Sequence, residues 1–195
     1  PLAVGFHAAN QGGARLGQKA VVMGAGCIGL MTLLALKAFG VTEVYVVDVM
    51  ENRLAKAKEL GAAGIINGKE QDAVEELMRA TAGKGMDLCI DTAGSQITMN
   101  QCIGAAAKGA AVVFVGYSAQ DQVSLDINNA LNKELTFKTV FRYRNLYPLA
   151  IEAVSQGLNV KGVVTDFFKF DDVRKAMDLS VSNKAEIVKA VLSLR

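Results

Sequence analysis

The sequence is poor in the residues on which several classes of protein depend. It contains no tryptophan, one histidine and two prolines in 195 residues. Its three cysteines, Cys27, Cys89 and Cys102, are widely spaced and form no C-x-x-C pair, which argues against a disulfide framework and a zinc ribbon. We interpret all three as small buried apolar residues of a protein in a reducing, cytoplasmic setting.

Charge imbalance and long apolar runs are also absent. The formal net charge is +2, with acidic and basic residues interspersed, so nucleic acid is not expected as a partner. Apolar residues make up 51% of the chain, but no uninterrupted run is long enough to cross a bilayer, and no secretory leader opens the sequence. These absences predict a cytoplasmic protein without a membrane partner. The length suits one large domain, or one domain with an appendage.

The chain does contain a glycine-rich motif between two apolar, strand-like runs. Residues 19–40 read KAVVMGAGCIGLMTLLALKAFG, and residues 44–53 read VYVVDVMENR. This order of strand, turn, helix and acid-terminated strand is typical of a dinucleotide-binding βαβ unit. Gly24 would allow the tight turn, Gly26 would let a pyrophosphate approach the helix N-terminus, and Gly29 would let the helix pack on the strand.

The acid that ends the second strand indicates which dinucleotide binds. Asp48 follows Gly29 by nineteen positions, and it is predicted to accept hydrogen bonds from the adenosine ribose. Its charge would repel a 2′-phosphate, so the motif favours NAD over NADP. Two alternatives stay open: a purely structural glycine turn, and an S-adenosyl site of the methyltransferase type. The second is disfavoured because Val22 and Met23, rather than an acid, precede Gly24.

Strand and helix patterns alternate along the chain, which predicts an α/β fold with a doubly wound, parallel, six-stranded Rossmann sheet. The predicted strands are 19–24, 44–48, 64–67, 87–91, 111–115 and 135–140, and the predicted helices are 2–10, 27–39, 51–60, 71–81, 97–107 and 148–156. Ligands of such sheets bind at the carboxyl ends of the strands. After these elements come a strand-like run at 163–170, a helix at 171–181 and a strand at 187–192. This segment is too long to be a simple cap on a six-stranded sheet.

Groups that could deprotonate or polarise an alcohol are scarce. His7 is the only histidine and lies on a predicted helix, where we interpret it as a packing or surface residue. Neither Tyr143 nor Tyr147 has a lysine four positions later, and the sequence shows no cluster of zinc ligands. The sequence therefore predicts a cofactor site without a catalytic residue or metal ligand of its own.

Several stretches, taken together, resemble one family. They are LAVGFHA at 2–8, GAGCIG at 24–29, Asp48 with Arg53, DTAG at 91–94, Val115-Gly116, and VFRYRN at 140–145. In these features nearly the whole chain resembles the cofactor half of the zinc-dependent medium-chain dehydrogenases, most closely the sorbitol/xylitol (polyol) dehydrogenase branch. GAGCIG is shared by the wider superfamily, whereas VFRYRN is the stretch that points to polyol enzymes.

The resemblance implies an NAD-dependent oxidoreductase that oxidises a secondary alcohol of a polyol to a ketose by hydride transfer to NAD. It implies that the zinc ligands and most of the substrate pocket belong to a separate catalytic domain with no counterpart in this sequence. Residues 1–157 would then be the NAD-binding Rossmann domain, and residues 158–195 a C-terminal tail of the otherwise absent catalytic domain. The chain alone would bind NAD and be inactive. It would form a homo-dimer or tetramer, with 123–127 as the candidate pairing edge.

The resemblance also implies roles for individual residues. Those expected at the pyrophosphate are Gly24, Gly26, Cys27, Ile28 and Gly29; those at the adenosine are Asp48 and Arg53; those at the nicotinamide end are Thr92, Ala93, Val115, Gly116 and Phe141. Arg142 and Tyr143 are expected to face the substrate. A non-catalytic NAD-sensing Rossmann module remains an alternative, although it does not account for VFRYRN or for the forty or so residues after Gly157.

Overall fold

A computed structural model describes residues 1–183 and 186–194, and its centre is a six-stranded parallel sheet in the order β3-β2-β1-β4-β5-β6. Those strands are β1 (Lys19–Met23), β2 (Glu43–Asp48), β3 (Gly64–Asn67), β4 (Met86–Asp91), β5 (Ala106–Phe114) and β6 (Thr136–Thr139). The strand order reverses between β1 and β4, where doubly wound sheets form a ligand crevice. The predicted doubly wound six-stranded sheet is confirmed.

The helices that cover this sheet, apart from α6, begin and end close to the predicted positions. They are α1 (Leu2–Gln11), α2 (Cys27–Ala38), α3 (Glu51–Glu59), α4 (Ala73–Ala80), α5 (Gln96–Ala105), α6 (Ile127–Asn132) and α7 (Tyr147–Ser155). Within the described residues, no helix is both long enough and apolar enough to cross a membrane.

Both faces of the sheet are buried. Successive side chains of a strand point to opposite faces, and in the central strands the side chains on both faces are apolar. In β1, Ala20 and Val22 belong to a buried cluster that includes side chains of α1 and α2. Val21 and Met23 belong to a second cluster on the other face, with side chains of α4 and α5. The continuous apolar runs of the sequence are therefore strands covered on both sides.

Burial agrees with the interpretation of two of the three cysteines. Cys89 and Cys102 are buried, one in each of β4 and α5, and burial raises the pKa of the Cys89 thiol to about 12. Cys27, at the start of α2, is only partly buried. Burial raises the pKa of its thiol as well, so all three cysteines are held as neutral thiols at neutral pH.

The boundary between α5 and β5 differs from the prediction. The helix ends at Ala105 rather than at residue 107, and β5 begins at Ala106 rather than at residue 111. Ala106 pairs with Met86, and the register then shifts before Ala111 pairs with Leu88. Lys108 and Gly109 lie in that irregularity. Because such a residue pair is typical of a turn, the sequence pattern does not indicate that the strand begins before it.

Helix α6 has no counterpart among the predicted elements. Its first residue follows Asp126, whose side chain accepts a hydrogen bond from the Asn129 backbone N–H at 3.1 Å and so caps the helix. The candidate pairing edge between copies at 123–127 stays a prediction: in the single chain residues 123–126 form no strand, and Ile127 begins α6.

The C-terminal residues form a small unit outside the main sheet. A 3₁₀ turn (Lys161–Val163) precedes β7 (Asp166–Lys169), and a second (Phe170–Asp172) precedes α8 (Val173–Ser182). Strand β8 (Ala190–Ser193) pairs in parallel with β7. The predicted strand 187–192 thus begins three residues later than expected. Residues 184, 185 and 195 of the predicted tail lie outside the described part of the chain.

Candidate functional site

The glycine-rich turn joins β1 to α2 in the conformation that its spacing predicts. Gly24 has φ +97°, in the left-handed region that residues with a side chain rarely adopt. A Cβ atom on Gly29 would lie 1.8 Å from the carbonyl oxygen of Gly24, so only glycine lets the first turn of α2 lie this close to the end of β1.

Gly26 has a different environment from the other two glycines. It occupies the N-cap position of α2, and no side chain of the described residues caps that helix. A Cβ atom on Gly26 would meet no atom within 4 Å. The first-turn N–H groups of α2 therefore border an open space. Such a helix end, with its donors and the positive end of the dipole, suits an anionic group.

The carboxylate of Asp48 ties the end of β2 to this turn. Its Oδ2 accepts a hydrogen bond from the Ala25 backbone N–H at 2.6 Å. Its Oδ1 accepts from the backbone N–H groups of Val49 at 2.7 Å and Met50 at 2.9 Å. A carboxylate offers about four acceptor positions, and the main chain uses three of those of Asp48.

A cavity of about 500 Å³ spans the point where the strand order reverses. Six of the predicted site residues line it: Gly24, Gly26, Asp48, Arg53, Thr92 and Ala93. The first four come from the β1 and β2 side of the crevice, and the last two from the turn after β4. The cavity therefore brings together residues from separate parts of the predicted site.

Other lining residues were not predicted. They are Val47, Val49, Gly68, Ser95, Ile97, Thr98 and Gln101. Four of these lie at or near the start of α5. Ser95 and Thr98 form a capping box there, and the S-x-x-T spacing directly after Gly94 is the signal that could have identified this helix end as part of the crevice.

The turns after β4 and β5 are packed tightly against the end of β1. The Thr92 hydroxyl lies within hydrogen-bond distance of two carbonyl oxygens as a donor, that of Met23 at 2.9 Å and that of Gly24 at 3.2 Å. A Cβ atom on Gly116 would lie 2.3 Å from the backbone nitrogen of Gly94. These contacts fix the three strand ends relative to one another, so this edge of the sheet is preorganised.

Asp91, the last residue of β4, is completely buried below these turns. Its Oδ2 accepts a hydrogen bond from the Gly94 backbone N–H at 2.9 Å. Burial raises the pKa of the Asp91 carboxyl, against smaller opposing effects of Thr98, Gly94 and Ala93. The side chain supports the turn and lies behind the cavity wall rather than in it.

The segment after β6 lies at the same edge of the sheet but outside the 500 Å³ cavity. Phe141 is 66% exposed, and the Arg142 guanidinium lies 5.0 Å from the centroid of the Phe141 ring. Tyr143 packs edge-to-face against Tyr147 with ring centroids 4.7 Å apart. The segment thus presents three aromatic rings and a cation beside the crevice.

The remaining predicted residues lie around the cavity without lining it. Cys27, Ile28 and Gly29 form the first turn of α2, and Val115 and Gly116 follow β5. In the described residues no group of three or more His, Cys, Asp or Glu side chains could hold a metal ion. The structure thus offers an open crevice that the uncapped N-terminus of α2 and the Asp48 carboxylate both border.

A larger cavity, of about 620 Å³, lies between α7 and the C-terminal end of α2. Its lining is mostly apolar, with Phe6, Phe39 and Leu149 among its residues, and it contains none of the predicted site residues. The smaller cavity is the better candidate for a functional site because it combines a helix N-terminus, a buried acid and a basic side chain.

Sequence comparisons identify the family. The family model described as "Zinc-binding dehydrogenase" matches residues 27–156, two thirds of the chain. An uncharacterized zinc-type alcohol dehydrogenase-like protein of Escherichia coli K12 is 43% identical over 195 residues, covering 100% of this chain and 56% of that protein. The sorbitol dehydrogenase of Bacillus subtilis is 34% identical over 193 residues, covering 98% of this chain and 55% of that protein.

Solved structures agree with the sequence comparisons. An Escherichia coli oxidoreductase of unknown specificity superposes with a TM-score of 0.94 at 42% identity, covering 99% of this chain and 55% of the other. An alcohol dehydrogenase of Escherichia coli CFT073, in complex with NADH, superposes with a TM-score of 0.91 at 28% identity, covering 100% of this chain and 57% of the other. The chain spans about half the length of the relatives it matches, and it belongs to the zinc-binding dehydrogenase family.

Proposed function

We propose that this chain is the NAD-binding half of a zinc-type polyol dehydrogenase that oxidises a secondary alcohol of a polyol to a ketose. The observation that carries the proposal is the 500 Å³ cavity at the strand reversal, which an open helix N-terminus and a buried acid both border. Residues 1–157 would form the cofactor domain. Residues 158–195 would pack with a catalytic domain contributed by sequence outside this chain.

The pyrophosphate would bind at the first turn of α2. The space at Gly26 is open, and the N–H groups of Cys27, Ile28 and Gly29 belong to the uncapped start of the helix. An anion there would interact favourably with the helix dipole and with these donors. Gly24 and Gly29 would serve the site indirectly, because they bring the helix close enough to the strand to shape the turn.

The adenosine would lie on the β2 side of the crevice. Asp48 would accept a hydrogen bond from a ribose hydroxyl in addition to its three backbone hydrogen bonds. A 2′-phosphate at that position would meet a nearly buried carboxylate, which favours NAD over NADP. Arg53 lines the same part of the cavity, where its guanidinium would contact the adenosine.

The nicotinamide would lie on the other side of the reversal, where β4, β5 and β6 end. Thr92 and Ala93 line the cavity on that side, and Val115, Gly116 and Phe141 follow the next two strands. When bound, NAD supplies the hydride acceptor of the reaction. Arg142 and Tyr143 would extend from this end toward the substrate. An NADH complex among the structural neighbours supports NAD as the cofactor.

The residues of this chain do not fit the zinc ion of the family. The described part of the chain offers no group of three or more His, Cys, Asp or Glu side chains for a metal, and its three cysteines lie in separate elements. We therefore expect the chain alone to bind NAD and not to oxidise polyols. Turnover would require zinc ligands from sequence that this chain does not contain.

A homo-dimer or tetramer is part of the proposal, with residues 123–126 in the contact. Three hydrogen bonds hold this segment against α5: Asn100 Nδ2 to the Ser124 carbonyl oxygen, Ser124 N–H to Gln96 Oε1, and Asp126 N–H to Asn100 Oδ1, all at 2.8 to 2.9 Å. Side-chain amides thus bond to it as a neighbouring strand would. These contacts order Ser124 and Asp126 against α5, which would lower the entropy cost of pairing the segment with a second copy.

Calorimetric titration of the chain with NADH, NADPH and S-adenosylmethionine tests the cofactor assignment. NADH is expected to bind, with NADPH about tenfold weaker or more because of the charge of Asp48. S-adenosylmethionine is expected not to bind. Absence of NADH binding by a folded chain would contradict the proposal. Activity of the isolated chain on sorbitol or xylitol would contradict the proposal that the zinc ligands lie outside this chain.

A further inference from the structure

The segment of residues 141–145 adopts an unusual backbone with little support. Arg142 has φ +56° and Asn145 has φ +53°, in the left-handed region that residues with a side chain rarely adopt. These residues form bends and no regular element. Such a conformation persists only where surrounding structure holds it.

The support comes from His7, on a different helix and 135 positions away in the sequence. His7 is buried, with 5% of its surface exposed, and its Nδ1 lies 3.3 Å from the carbonyl oxygen of Arg142. Among the described residues this is the one hydrogen bond to the main chain of residues 141–145. The accepting oxygen belongs to the peptide group that follows Arg142, the residue with the positive φ.

The partners of the imidazole fix its tautomer. A carbonyl oxygen can only accept, so Nδ1 carries the proton and donates to Arg142. Nε2 is then the acceptor, and the Gln11 side-chain Nε2 lies 3.2 Å from it, on the next turn of α1. Hydrogen bonds at both ring nitrogens thereby orient the imidazole from two sides.

From this geometry we propose that His7 is a positioning residue for the nicotinamide end of the site. It holds the Arg142 carbonyl, and through it the orientation of the Phe141 ring and of the Arg142 guanidinium that lies over that ring. The proposal rests on the proposed function, because it assumes that the segment after β6 meets the nicotinamide. It adds a role for a histidine that touches neither cofactor nor substrate.

Two ligands separate positioning from general support of the fold. NADH contains the nicotinamide, whereas ADP-ribose contains only the adenosine, the pyrophosphate and the second ribose. Replacing His7→Leu removes the donor and is expected to weaken NADH binding about fivefold, the effect of one hydrogen bond, with ADP-ribose binding unchanged. The blue shift of NADH emission on binding, which reports the surroundings of the ring, should shrink in parallel.

Two further variants test the geometry. His7→Asn places an amide donor close to the position of Nδ1 and is expected to recover most of the NADH affinity. Gln11→Leu removes the donor to Nε2, frees the ring to adopt the other tautomer, and is expected to weaken NADH by about twofold. Thermal unfolding of each variant, together with its retained ADP-ribose binding, shows that the crevice is intact.

The outcomes are distinct. A selective loss of NADH affinity in His7→Leu, with recovery in His7→Asn, supports the proposal. Equal weakening of both ligands would overturn it, since His7 would then support the fold as a whole, and unchanged affinities would overturn it too. A wild-type chain that binds ADP-ribose and NADH equally well would show that no nicotinamide contact exists. A folded wild-type chain that binds neither ligand would instead overturn the proposed function itself.

Discussion

Asp48 Oδ2 accepts a hydrogen bond from the backbone N–H of Ala25 at 2.6 Å, across the gap between β2 and the glycine-rich turn. The acid is therefore part of the turn's own structure, besides facing the crevice. The two strands that flank the adenosine side of the cavity are joined by it. Any substitution at position 48 changes the shape of the turn as well as the charge next to the ribose.

This double role gives a prediction about Asp48→Asn and Asp48→Ala. Asparagine removes the charge but keeps one oxygen for backbone donors, so it should destabilise the fold by about 1 kcal/mol and reduce the preference for NADH over NADPH about tenfold. Alanine leaves the N–H groups of Ala25, Val49 and Met50 without the carboxylate, and should cost about 2 kcal/mol or more. Urea unfolding and calorimetry measure the two effects separately. An unchanged cofactor preference in the stable Asp48→Asn protein would contradict the ribose assignment.

A second prediction contrasts two glycines three residues apart. In Gly26→Ala the new methyl group enters open space, so the free energy of unfolding should change by less than about 1 kcal/mol. NADH binding should nevertheless weaken at least about tenfold, because the methyl group occupies the space proposed for the pyrophosphate. Gly29→Ala is the control: its methyl group would lie 1.8 Å from the Gly24 carbonyl oxygen and should destabilise the fold by about 3 kcal/mol.

The two glycine variants distinguish a binding role from a packing role. Thermal unfolding should show a near-normal midpoint for Gly26→Ala and a large decrease for Gly29→Ala. Tight NADH binding by Gly26→Ala would mean that the pyrophosphate does not approach the start of α2, and the cofactor orientation would have to be revised.

Much of this fold could be predicted because local patterns and tertiary structure agree. The apolar runs that become β1 and β4 are covered on both faces, and the glycine spacing fixes the turn from β1 into α2. Strand β3 has the predicted bounds, 64–67. Helix α6 was missed because it has only six residues, too few to show a helical period.

The contacts that shape the site could not be predicted in the same way. His7 and the Arg142 carbonyl are 135 positions apart, and Gln96 and Ser124 are 28 apart. No local pattern relates such pairs, since the fold alone brings them together. The sequence therefore indicated which residues belong near a cofactor, but not that a buried histidine and two amides orient the segments around them.

A third prediction concerns the pH dependence that Asp91 introduces. Burial raises the pKa of this carboxyl in the folded protein above its ordinary value of 3.8, so the folded state holds the proton more tightly than the unfolded chain. The contribution to stability is fully present below about pH 3.8 and is lost as the pH rises through the folded-state pKa. Asp91→Asn keeps an oxygen for the Gly94 N–H and cannot ionise.

The comparison of wild type with Asp91→Asn isolates this effect. Thermal midpoints measured between pH 3 and pH 8 should show the wild type losing stability relative to the variant as the pH rises from about 4. A difference that does not change with pH would show that the carboxyl titrates equally in the folded and unfolded states, and that burial has no net effect on its pKa.

The last prediction concerns self-association through residues 123–126. The Asn100 side chain donates to the Ser124 carbonyl oxygen and accepts from the Asp126 N–H, at 2.9 and 2.8 Å. Asn100→Ala removes both contacts, so the segment is no longer anchored to α5 when a second copy pairs with it. The cost of ordering it then opposes association, and the dimer should dissociate about tenfold more readily. Sedimentation equilibrium over a range of concentrations measures this, with Gln156→Ala at the C-cap of α7 as the control that leaves the segment intact. A monomeric wild-type chain, or a dimer that Asn100→Ala does not weaken, would exclude residues 123–126 as the contact.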